Sequence, residues 1–122
     1  MTQQRDMQQL WASEKYRVMY VHQNSYNTIR HFMAQPDGTL QQLQQLLDNA
    51  LKQQPSRGSA INTFDHIWGY FKKYATPKEK EHAQQLRNHF QNADELWSFL
   101  AKLAVHYEVP YLKNSTLLLP YL

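Results

Sequence analysis

With 122 residues and a mass of 14.6 kDa, the chain has room for one ordinary domain and not for two. Apolar residues make up 42% and aromatic residues 13%, enough for a real core, while the absence of cysteine excludes disulfides, thiolate nucleophiles and thiolate metal sites. A net charge of +3 and a pI of 9.2 permit nucleic acid as a partner without demanding it.

No stretch approaches the roughly 20 consecutive apolar residues of a membrane helix. Residues Met1 to Asp6 lack the apolar region of a secretory signal, so a cytoplasmic protein with no membrane contact is the expectation. The mean hydropathy is low, at -0.75, because glutamine is heavily used. Six Gln-Gln pairs are scattered without a fixed period, so they mark uncharged helix surface and no repeat architecture.

From Gln3 to about His22, apolar residues recur at Met7, Leu10, Trp11, Val18 and Met19, which predicts a first helix. Ser25 is placed to cap a second helix that carries Tyr26, Ile29, Phe32 and Met33. Pro36-Asp37-Gly38 is turn chemistry, with glycine open to positive φ. Thr39 and Gln42 then have capping-box spacing before Leu40, Leu43, Leu47 and Leu51. After the break at Pro55–Ser59, a helix is predicted from about Ala60 to Tyr74. Thr76-Pro77-Lys78-Glu79 opens the next one with a cap, a proline at the first position and a glutamate three residues after the cap. Asn92-Ala93-Asp94-Glu95 repeats that logic ahead of a strongly apolar helix, which Pro110 closes. The last residues, Tyr111 to Leu122, are too rich in Leu and Tyr for a free tail and are expected as an extended strap across the helices. The expectation is all-α: a single compact domain over residues 1–122, with five or six helices and an extended C-terminal strap.

The informative stretch runs from Arg57 to Lys73. At about 100° per residue, Phe64, Ile67, Trp68, Phe71 and Tyr74 fall on one side. Asn62, His66, Gly69 and Lys73 fall opposite, with Tyr70 at their edge. A glycine in the middle of a helix costs about 1 kcal/mol relative to Ala, so Gly69 implies close approach by the strap or by a ligand. In the first helix, Lys15 lies within the apolar stripe beside His22, where a lysine either snorkels or aims at a shared pocket.

The six histidines form no His-Glu-x-x-His pattern, and no Gly-x-Ser-x-Gly elbow or Gly-rich phosphate loop is present. No metal and no cofactor is expected, and catalysis by this chain alone has little support.

Arg57-Gly58, Asn62, His66 and Gly69-Tyr70-Phe71-Lys72-Lys73, followed by Glu79-Lys80, resemble the signature of the YbgA-like family, a domain of unknown function. The resemblance extends to Lys15-Tyr16, His22 and Tyr26 near the start, and to Pro110-Tyr111-Leu112, Leu118 and Pro120-Tyr121 at the end. The chain resembles a divergent member. Trp11 and Glu14 stand where histidines usually precede the Lys-Tyr pair, and Ser115 and Leu117 replace a usual Gln and Tyr. Asp94 to Trp97 occupies the region of a missing Pro-Leu-x-x-Pro-like segment.

The resemblance implies a role beside thiouridine desulfidases. Members occur alone or fused behind a cysteine-dependent iron-sulfur domain that removes sulfur from thiolated uridine in tRNA. In such fusions this domain looks like the tRNA-binding part. Three functions therefore compete. An RNA-binding accessory module, with tRNA as partner, would set Lys15, Arg57, Lys72 and Lys73 against phosphates. His22, Asn62, His66, Gly69 and Tyr70 would complete that face. A docking module for a separately encoded desulfidase would use Trp11, Tyr20 or Trp97 as anchors. A small acid-base enzyme would need Lys15, His22 and His66 to converge.

Overall fold

The computed structural model describes residues 2–122. Among these, the order of elements is α1 (Thr2–Val21), α2 (Gln23–Met33), α3 (Leu40–Ala50), α4 (Arg57–Trp68), α5 (Pro77–His89), α6 (Asp94–His106) and α7 (Pro110–Lys113), followed by a final 3-10 turn at Leu119–Tyr121. The fold class is all-α, and the helix beyond the expected six is the short α7.

Local chemistry explains most boundaries. Thr39 and Gln42 form a capping box at α3, and Thr76 and Glu79 form one at α5 behind Pro77. Ser56 and Ser59 form a third, so α4 begins at Arg57, three residues before the expected start. Ser25 does not cap α2. The chain turns one residue after α1, with His22 extended at φ -162 and ψ 109, and Ser25 Oγ lies 2.8 Å from His22 Nδ1 instead. Ahead of α6 the cap is built backwards: Glu95 accepts from the amides of both Gln91 and Asn92 at 2.8 Å.

Helix α6 is apolar nearly all round, with Leu96, Trp97, Phe99, Leu100, Leu103 and Ala104 buried, so it forms the spine of the larger core. Tyr16 and Met19 of α1, Phe64 and Ile67 of α4, Ala83 of α5 and Leu112 of α7 close around it. A second core gathers Met7 and Val18 of α1 with Ile29, Leu43, Leu47 and Ala50 of α2 and α3. Helix α1 thus serves both cores from different sides. Tyr16 meets Tyr70 at one end of the α1/α4 pair and Gln23 meets Asn62 at the other, so those two helices run antiparallel.

Three expectations are corrected. The C-terminal segment does lie across the helices, but it coils into α7 and short turns and is not extended. Without a neighbouring strand an extended segment would leave its amides unpaired; here Leu118 and Leu119 donate to Ser115 O at 3.1 and 3.0 Å, and Thr116 N donates to Ser13 O at 2.9 Å. Gly38 has no positive φ. Its role is space, since a Cβ there would fall 2.6 Å from Phe32 Cζ. Gly69 is not inside a helix either. It is the C-cap of α4, exposed, with right-handed backbone angles. Beyond it the chain continues in tighter turns to Ala75.

Candidate functional site

The residues singled out in the sequence divide between one groove and the surfaces outside it. Asn62 and His66 of α4, and Tyr70 two residues beyond its end, follow one another at four-residue steps; Asn62 meets Gln23 and Tyr70 meets Tyr16 of α1. Lys15 on α1 and His22, just past its end, are seven residues apart, roughly 10 Å along the axis. The antiparallel packing sets the Tyr16–Tyr70 contact at one end of the α1/α4 seam and the Gln23–Asn62 contact at the other.

At one end is a cleft of about 530 Å³. It is formed by the α1–α2 corner and the start of α4, and His22, Gln23, Ser59, Asn62 and His66 line it. Asn62 Nδ2 donates to Gln23 Oε1 at 2.5 Å, which fixes both amides across the helix pair. His66 is exposed toward solvent, while His22 is half-buried.

At the other end, Lys15 lies among tyrosines. Its Nζ is 5.3 Å from the ring centre of Tyr16 and 5.1 Å from that of Tyr111. The hydroxyls of Tyr16 and Tyr70 are 3.0 Å apart, and the Tyr70 and Tyr111 rings stack with centres 6.3 Å apart and planes inclined by 17°. Burial alone pulls the Lys15 ammonium pKa down, but contact with the Tyr111 hydroxyl and the phenol oxygens of Tyr26 and Tyr70 leaves it above the usual lysine value. Lys15 is therefore a fixed positive charge and a poor base at neutral pH. Burial and the bond to Tyr70 push the Tyr16 hydroxyl far above the ordinary phenol value.

Lys15 does not line the cleft that holds His22 and His66, so the convergence required by an acid-base enzyme is not present. Arg57 stands apart from both. Its guanidinium lies 3.8 Å from the ring centre of Phe90 and donates to Phe90 O at 2.8 Å, stapling the start of α4 to the α5–α6 corner. Lys72 lines a separate hollow with Phe64, Trp68 and Arg87, and Lys73 is exposed one turn beyond Tyr70. Asp65, next to His66, points the other way and pairs with Arg87 at 2.7 Å. Of the three aromatics named as docking anchors, Trp97 is buried and Trp11 and Tyr20 are half-buried. Trp97 is buried under Tyr20, with ring centres 5.0 Å apart, and Trp11 packs on Tyr26.

Tyr16 and Tyr111 enter the sequence analysis only through the family pattern and not as site residues, and Gln23 is missed altogether, because its role depends on Asn62, a partner distant in the chain. Among the described residues, no group of three His, Asp or Glu side chains is placed to hold a metal ion. No helix among them is long and apolar enough to cross a membrane.

No curated protein and no solved structure matches the chain. A family model described as a protein of unknown function, DUF1722, matches residues 15–121. That span begins at Lys15 and takes in the whole groove, and the family is the YbgA-like one that the residue pattern resembles. The chain belongs to the DUF1722 family.

Proposed function

We propose that this chain is an RNA-binding accessory module whose contact face is the groove between α1 and α4. Its ligand is tRNA, and the chemistry is supplied by a separately encoded, cysteine-bearing desulfidase. The observation that carries the reading is the open cleft lined by His22, Asn62 and His66 at one end of the α1/α4 seam, with Lys15 among Tyr16, Tyr70 and Tyr111 at the other end. Such a face serves phosphates through Lys15 and sugar edges through the neutral donors. The excess of basic residues, 13 against 10 acidic, favours the approach of a polyanion. Arg57 is not part of this face, because its guanidinium is already engaged by Phe90.

The test is tRNA affinity across a salt series for the parent, the Asn62→Ala/His66→Ala variant and Lys72→Ala. The expected result is a linear log-log salt dependence, with the groove variant weaker by about tenfold and Lys72→Ala close to the parent. A groove variant that binds as tightly as the parent would overturn the reading.

A further inference from the structure

We infer that the cleft at the α1–α2 corner takes the terminal nucleotide of an RNA chain, with its 5′-phosphomonoester against His22, Asn62 and His66. The inference rests on the RNA reading above and narrows it from the body of an RNA to its end. At about 530 Å³ the cleft has nucleotide-scale room. No Phe, Tyr or Trp lines it; its polar lining is amides, hydroxyls and two imidazoles, which suit phosphate and ribose.

The chain carries 10 acidic residues, yet none of the described residues around the cleft is acidic. Two imidazoles reach it from different helices, one at the α1–α2 corner and one on α4. The Asn62–Gln23 hydrogen bond holds the amide of Asn62 in place between them, and Ser56 and Ser59 border the cleft while engaged with each other in the capping box of α4. The starts of α2 and α4 border the same cleft. Neither has an acidic residue in its first turn, and α2 lacks any side-chain cap, so their amide dipoles add to an anion's stabilisation and offset the end of α1 at Val21, which borders the same cleft.

Gly58 completes the arrangement. It lines the cleft inside the first turn of α4, where glycine weakens a helix. A Cβ at this position would meet only Ser56 Oγ, at 3.8 Å. No packing contact within the protein therefore requires a glycine there, whereas a phosphate lying against the backbone would.

The experiment compares a short single-stranded RNA carrying a 5′-phosphate with the same RNA ending in a 5′-hydroxyl, using fluorescence anisotropy with the label at the 3′ end and AMP as competitor. The expected result is binding at least about tenfold tighter for the phosphorylated RNA. That advantage disappears in Asn62→Ala/His66→Ala and shrinks in Gly58→Ala, which keeps or raises the melting temperature and so remains folded. Equal affinity for the two RNAs, with both weakened alike by the double variant, overturns the end-binding inference and leaves the RNA reading standing. AMP bound as tightly as the phosphorylated RNA, and lost in the double variant, keeps the phosphate site and removes the RNA reading.

Discussion

Tyr16 on α1 and Tyr70 beyond α4 place their hydroxyls 3.0 Å apart, and this one contact closes the tyrosine end of the groove. Tyr16 is buried while Tyr70 is half-buried, so the two lose differently when the bond is broken. Tyr70→Phe leaves a buried phenol unpaired and is expected to cost about 1–2 kcal/mol. Tyr16→Phe, which leaves the partner free to meet water, is expected to cost about half that. The double variant restores part of the loss, and chemical denaturation of all four proteins measures the coupling.

Arg57 is a structural residue despite standing at the head of the signature run. It combines a cation–π contact with Phe90 and hydrogen bonds to the carbonyls of Phe90 and Asn88. Arg57→Ala is expected to destabilise by about 1–2 kcal/mol. Arg57→Lys restores little of that, because an ammonium cannot both lie flat on the ring and span two carbonyls. Thermal melts check the stability loss. tRNA affinity per folded molecule stays near the parent value, which separates this residue from the groove.

Helix α6 ends with a strained residue, Glu108. Glu108 has φ 51, and around it Val109 N donates to Ala104 O at 3.0 Å while Glu108 N donates to Val105 O at 3.2 Å. This is a Schellman motif, and its left-handed position prefers glycine. Glutamate there also sets a negative charge at the negative end of the helix. Glu108→Gly is expected to raise stability by about 0.5–1 kcal/mol, read as an increase in denaturation midpoint with no change in slope.

Glu79 links acid stability to the packing of α5 on α6. The Tyr107 hydroxyl donates to its carboxylate at 2.5 Å and the Thr76 amide donates at 2.9 Å, and together they hold its pKa below the ordinary value of 4.5. A carboxylate with a lowered folded-state pKa contributes stability that is present above its unfolded value and lost as pH falls through the folded one. Tyr107→Phe is therefore expected to lower stability at neutral pH and to flatten its fall between about pH 5 and pH 3. Equal slopes in the two proteins across that window would remove the link.

What was legible in the sequence follows from the range of the interactions. Thr39, Thr76 and Pro77 act within a few residues of themselves, so the starts of α3 and α5 are readable directly. The apolar pattern from Leu96 to Ala104 likewise announces a buried helix. The pair Asn62–His66 is also readable, because helical spacing fixes it; Tyr70 lies beyond the end of α4 in tighter turns. Which helix faces these residues is not readable, since this depends on Gln23 meeting Asn62 and Tyr16 meeting Tyr70 across the fold. Arg57 misleads for the same reason: its charge is visible in the sequence, and the Phe90 ring that engages it is not. The C-terminal segment shows its apolar content, but its coiling is set by Ser13 and Ser115 as backbone partners.

The most direct test of the groove is a residue-resolved map of where RNA lands. Backbone amide shifts of the isotope-labelled protein, followed while bulk tRNA is added at moderate salt, are expected to move first at residues 22–26, 58–70 and 111. The amides of α3 and the outer face of α5 should stay in place. Shifts that centre instead on Lys72 and Lys80, or tRNA that moves none of the groove residues, would contradict the account.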